Sequence, residues 1–149
     1  MSKEVIGKTT RIDLPRLGFL GISAKIDTGA YYCSLHCHHI QVRNIDGIDK
    51  LCFTLLDPTH PEYKDKEIKF RNFTIKNIRN SFGDTEERYS IRTALRIHGK
   101  RIKTWITLTD RGSMTYPMLI GRRLLKNKFL VDVSINELKP TKGSDQATA

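Results

Sequence analysis

Several things are scarce in this chain, and each scarcity removes a class of protein. Only three cysteines occur among 149 residues, Cys33, Cys37 and Cys52. An odd number without regular spacing excludes a disulfide scaffold and suits a reducing, cytoplasmic compartment. No apolar run approaches the roughly 20 residues that a membrane-spanning helix needs. The start, Met1-Ser2-Lys3-Glu4-Val5, has no apolar signal core, so neither export nor membrane insertion is expected. There is no His-Glu-x-x-His pattern of a zinc peptidase. Gly7-Lys8-Thr9 resembles the end of a phosphate-binding loop, but Ser2 stands where the first glycine belongs and no strand precedes it. No repeat long enough for a solenoid is present.

Charge is plentiful and of one sign. Twenty-six Lys and Arg against sixteen Asp and Glu give +10, which favours anionic partners. The basic residues are spread along the chain rather than gathered in an arm, and no RNA-binding signature accompanies them, so sequence-specific nucleic-acid binding is not expected. Hydrophobic content of 38% and charged content of 28% describe a globular chain, and its length suits one domain with one core.

The most informative stretch is Phe19-Leu20-Gly21-Ile22-Ser23-Ala24-Lys25-Ile26 followed by Asp27-Thr28-Gly29-Ala30. Leu20, Ile22, Ala24 and Ile26 recur with period two, predicting a half-buried strand that delivers Asp27 to a tight turn. Asp-Thr-Gly after an apolar strand is the signature of aspartic peptidases. Their chemistry needs two carboxylates about 3 Å apart sharing one proton, one acting as general base on water and the other as general acid. The threonine hydroxyl can bond across to the opposite strand, and the glycine leaves room for it. The same tripeptide also describes an ordinary turn at a strand end.

A second segment, Tyr116-Pro117-Met118-Leu119-Ile120-Gly121-Arg122-Arg123-Leu124-Leu125, reads as an apolar strand, a glycine and a short helix. Together with Ser34-Leu35-His36, Leu108-Thr109-Asp110-Arg111, Met114 and Val131-Asp132-Val133-Ser134, these motifs resemble one bacterial family. It is described as ATP-dependent zinc proteases of retropepsin-like type, some of which accompany RimK-type glutamate ligases. The resemblance runs from about Gly7 to Ser134. It implies an all-β fold, a closed acid-protease (retropepsin-like) barrel over residues 1–139 with one short C-terminal helix. Residues 140–149, rich in Thr, Ser, Gly and Ala, are expected to be a disordered tail.

The family likeness implies Asp27, Thr28 and Gly29 as catalytic residues. A substrate cleft would then be bordered by Ala30, Arg79, Gly83, Arg88, Arg111 and Arg122. The polar segment 79–88, centred on Gly83, is the candidate for a hairpin flap, or else a plain surface hairpin. Arg122 reads equally well as a substrate contact or as an internal brace of its helix. No second Asp-(Thr/Ser)-Gly exists, so one chain holds half a site and activity requires a homodimer. The arginines suit an acidic peptide, and the ligase association points to glutamate tails on a ribosomal protein. A catalytically silent module that binds the ligase or the ribosome is the rival reading, and a zinc-dependent hydrolase is a third. Cys33, His36, Cys37, His38 and His39 include metal-ligating types, but on one strand they face opposite ways, so no metal site and no cofactor is expected.

Overall fold

Alternating apolar residues dominate the chain, and they fold as strands wherever the period is two. The computed structural model describes residues 2–79, 82–110 and 115–137. Among these it forms β1 (Glu4–Ile6), β2 (Thr9–Leu14), β3 (Phe19–Ile26), β4 (Cys33–Ile45), β5 (Ile48–Leu55), β6 (Glu67–Phe70), β7 (Phe73–Arg79), β8 (Thr85–Ile97), β9 (Lys100–Thr109), β10 (Met118–Ile120) and β11 (Phe129–Val131). One four-residue helix, α1 (Arg122–Leu125), lies between the last two strands, and a 3-10 turn spans Pro15–Leu17. The expected all-β barrel with one short C-terminal helix is therefore observed, and the helix is a single turn. The proposed tail, 140–149, lies outside the described residues, as does Arg111.

The ring closes through β10–β3–β2–β8–β9–β4 and back to β10. Closure leaves the ring fewer of the open sheet edges that would invite aggregation. β5 and β6 extend from the far half of β4, and β7 pairs with β8 as a hairpin arm. The turns between β4 and β5 and between β8 and β9 each place two successive residues at positive φ, Asp46-Gly47 and His98-Gly99. That is the geometry that matches the right-handed twist of paired strands. The interior is filled by Ile12, Leu14, Phe19, Ile22, Leu35, Phe53, Leu55 and Leu95, all at most 1% exposed.

One expected inward residue points out. Leu20 is exposed, while Phe19, Ile22, Ala24 and Ile26 are buried. The pairing of β3 with β2 slips there, with Ile12 opposite Ile22 but Leu14 opposite Phe19. Gly21 absorbs the extra residue at φ +73. A bulge of this kind resets the alternation, which simple periodicity cannot foresee.

The chain ends meet in a small parallel sheet, Val5 opposite Leu130. His98 ties it to the barrel, with Nδ1 2.5 Å from Glu4 Oε2 and Nε2 2.5 Å from Glu137 Oε2. Lys100 Nζ also donates to Glu4 at 2.9 Å.

Candidate active site

β3 delivers Asp27 at the rim of the barrel. The Asp27 N–H donates to the Ile120 carbonyl at 2.9 Å, so the residue is anchored to β10 before the turn begins. The turn then closes on itself. Gly29 N–H donates to Asp27 Oδ1 at 3.1 Å, and Ala30 N–H to the Asp27 carbonyl at 3.1 Å. A Cβ at position 29 would stand 3.3 Å from that same carboxylate oxygen, so glycine lets the amide approach. Asp27 is half-buried, whereas Thr28 and Gly29 are exposed. Among the described residues, nothing donates to Asp27 Oδ2 or bonds the Thr28 hydroxyl.

β10 fills the space between the two strands that this turn connects, parallel to β3 and antiparallel to β4. Gly121 then passes under the turn at very short range, since a Cβ there would lie 2.4 Å from the Tyr32 carbonyl oxygen and 2.6 Å from that of Tyr31. The first amides of a helix have no partner within it. Here Arg122 N–H donates to the Ala30 carbonyl at 2.8 Å and Arg123 N–H to the Tyr31 carbonyl at 3.0 Å. Arg122 Nη1 donates to the Thr28 carbonyl at 3.2 Å, and its guanidinium lies 5.5 Å from the centre of the Tyr31 ring. Arg122 is thus an internal brace of the Asp27 turn in this arrangement. Arg123 sits 5.9 Å from both the Tyr31 and Tyr32 rings. A cavity of about 490 Å³ opens beside the turn, lined by Thr28, Tyr31, Arg122, Arg123, Phe129 and Val131 among others.

Asp27, Thr28, Gly29, Ala30 and Arg122 are therefore brought together. Arg79, Gly83 and Arg88 lie instead on the β7–β8 hairpin, where Gly83 takes φ +87 and Arg88 Nε pairs with Glu86 Oε2 at 3.1 Å. The hairpin reaches the turn through a residue that sequence reasoning passed over. Lys76, opposite Arg88 in the ladder, places its ammonium 5.3 Å from the Tyr32 ring and 4.6 Å from the Trp105 ring. No local pattern marks Lys76, because its partners are 44 and 29 residues away in sequence.

The cysteine and histidine segment separates as alternation requires. Burial pushes the Cys33 thiol up to about 11 and the Cys37 thiol well above its ordinary value, so neither is a ready thiolate. His38 bonds the Leu56 carbonyl through Nδ1 at 2.6 Å. His36, buried in the barrel wall, joins Asp57 and His60, and the three candidate ligand atoms lie within 4.8 Å of one another. His36 Nε2 stands 2.6 Å from Asp57 Oδ2. Two ligands of one tetrahedral zinc ion stand about 3.3 Å apart, so this pair is hydrogen-bonded as arranged. The Thr59 hydroxyl and amide take the other oxygen. The Thr59 hydroxyl bond is the main cause that holds the Asp57 carboxyl well below the usual range, against an opposing effect of burial, with His36 and His60 assisting. The cluster pins the loop after β5 to β4.

The chain is 34% identical over 137 residues to a probable alpha-L-glutamate ligase of Shewanella pealeana and 30% identical over 139 residues to one of Desulfotalea psychrophila. These matches cover 89% and 91% of this chain but 29% of each relative. A crystal structure of a Legionella pneumophila protein of unknown function superimposes with a TM-score of 0.67 at 24% identity, over 90% of this chain and 96% of that one. The fold is thus shared with that protein. The family model described as RimB-like, retropepsin-like aspartic endopeptidase RimB, matches residues 5–142, and with the Asp27 turn and the β10 crossing in place the chain belongs to that family.

Proposed function

We propose that the protein is an aspartic peptidase whose working form is a homodimer and whose substrates are acidic peptide segments. The observation that carries this reading is the half-built site. One Asp-Thr-Gly turn stands at the barrel rim, with one carboxylate oxygen and the threonine hydroxyl unengaged among the described residues. A second copy brought up across a two-fold axis supplies the second carboxylate, and each Thr28 hydroxyl has the opposite strand to bond. One Asp27, ionised, draws a proton from water. Its protonated counterpart donates to the scissile carbonyl oxygen, so the tetrahedral centre forms without a separate cation.

The terminal sheet supports a self-association surface. Val5 is 49% and Leu130 54% exposed, side by side in register, and Val133 and Ile135, a few residues on, are exposed as well. Exposed apolar residues that stand side by side suit a contact surface. The net charge of +10 suits an acidic substrate, and relatives named as glutamate ligases suggest glutamate-tailed segments, on a ribosomal protein by the family association. A second reading has its own observation. The chain spans 29% of relatives whose printed name is that of a ligase, which fits a non-catalytic module serving such an enzyme.

The test uses a peptide ending in several glutamates. Cleavage by the wild type, lost on Asp27→Asn with an unchanged melting profile and with dimers seen by sedimentation, is the expected result. Unaltered cleavage by Asp27→Asn refutes the peptidase assignment. Dimers or ligase binding with no hydrolysis at any pH supports the silent module.

A further inference from the structure

A second basic site lies along β8, where the exposed Arg92 and Lys103 of the β8–β9 ladder meet the edge of β8 away from β9. β7 pairs with this edge up to Ile91, and β2 meets it only at Arg96. Among the described residues, none of 92–95 pairs with a strand on that edge, where the 3-10 turn Pro15–Leu17 packs against β8 instead. A gap in a sheet lets side chains from both faces reach one opening. Here it forms a pocket of about 510 Å³ whose lining includes Arg16, Arg71, Arg92, Lys103, Thr93 and Trp105.

The pocket is electrostatically one-sided. Lys69 also lines it and stands 3.8 Å from Glu67. Among the described residues, no carboxylate pairs with Arg16, Arg71, Arg92 or Lys103, and none lines the pocket. Concentrated like charge raises the local concentration of anions. Thr93 adds an independent sign. It is 1% exposed, it lines the pocket, and its hydroxyl has no hydrogen-bond partner among the described residues. Buried polar groups are nearly always paired, so an orphaned hydroxyl at the wall of a cationic pocket lacks an acceptor. A carboxylate supplies one.

The pocket also connects with the Asp27 turn. A neighbouring depression shares Arg92, Lys103 and Trp105 with it and adds Arg123, and Arg123 lines the cavity beside Thr28. We propose that this pocket is an exosite that seats a side-chain carboxylate of an acidic peptide, Arg92 and Lys103 pairing with it and Thr93 donating to it, while the rest of the peptide follows the basic groove to the catalytic turn. The choice of a peptide rests on the acidic-substrate reading above. The aromatic surface argues in the same direction, because single-stranded nucleic acid is held by bases stacked on open rings. Trp105 is half-buried and Lys76 covers its face.

The experiment measures anisotropy of a labelled octaglutamate on the full chain carrying Asp27→Asn, which removes turnover, with a labelled octauridylate as the rival probe. Arg92 and Lys103 are exposed, so R92Q/K103Q is expected to fold as the parent does. It is expected to weaken octaglutamate binding by about tenfold or more, the scale of losing charge-assisted hydrogen bonds, and Thr93→Val to weaken it severalfold. In the otherwise wild-type chain, R92Q/K103Q raises KM for a long glutamate tail and leaves kcat in place. Octaglutamate binding untouched by R92Q/K103Q overturns the exosite. So does octauridylate binding that is tighter than octaglutamate binding and lost on R92Q/K103Q, which assigns the pocket to nucleic acid. Sensitive octaglutamate binding without any cleavage by the wild type keeps the exosite and fails the peptidase reading, so the two are separable.

Discussion

Replacing Gly121 by alanine tests the packing that holds the Asp27 turn. Gly121 has φ −84 and ψ 168, a conformation open to any L-residue, so alanine meets no backbone strain of its own. The cost is one of space. The new methyl would sit 2.4 Å from the Tyr32 carbonyl oxygen, 2.6 Å from that of Tyr31 and 2.6 Å from the Tyr32 carbonyl carbon. All three are backbone atoms, so no side chain can swing aside. Ordinary contact begins near 3.4 Å, and the two chain segments must therefore part by about 1 Å. That separation weakens the amide bonds from Arg122 to Ala30 and from Arg123 to Tyr31. Overpacking of this kind costs about 1–3 kcal/mol and each impaired hydrogen bond about 1 kcal/mol, so a total loss of about 2–4 kcal/mol is expected. Urea unfolding at fixed protein concentration, followed by Trp105 fluorescence and far-ultraviolet dichroism, reads it as a midpoint lowered by about 1–2 M. Gly99→Ala is the control. It has open space but φ +76, and loses only the left-handed penalty of about 1–2 kcal/mol. A Gly121→Ala protein within about 0.5 kcal/mol of wild type would falsify the close crossing.

Other perturbations follow from the same contacts. Arg122→Ala removes the bond to the Thr28 carbonyl, so cleavage of an acidic peptide should fall through kcat more than through KM, with little change in melting; a pure KM effect would make Arg122 a substrate contact instead. Glu4 is held below its ordinary 4.5, first by Lys100 and then by His98. Burial would raise Glu137, but the Gly7 amide and His98 outweigh it and lower the carboxyl. Lowered carboxyls contribute stability above their unfolded values, and that contribution is lost as pH falls through the folded ones. Urea midpoints should therefore drop on acidification below about pH 4.5, and Glu137→Gln should flatten that limb; an unchanged limb would place the acid sensitivity elsewhere. Asp57→Asn removes the carboxylate that stands 2.6 Å from buried His36 and should cost about 1–3 kcal/mol by the same unfolding assay. Treatment with a chelator should leave the wild-type melting temperature in place, and a clear drop would mean that His36, Asp57 and His60 rearrange around a metal.

Local chemistry in the sequence determined the strand pattern, the glycine turns and the position of Asp27. Period-two alternation and positive-φ residues act over a few neighbours, and short-range sterics are written in short stretches. That the motif occurs once was equally legible, and the proposal of a second copy rests on it. The tertiary structure alone decided what surrounds that aspartate. Which strand lies between β3 and β4, that Gly121 passes beneath Tyr31 and Tyr32, that Leu20 turns outward at a bulge, and that His36 meets Asp57 rather than Cys33 all depend on contacts between residues far apart in the chain. The same is true of the edge of β8, where Thr93 comes to line one pocket with Arg16, Arg71 and Arg92. Such juxtapositions follow from ring closure, and no local window of sequence contains it.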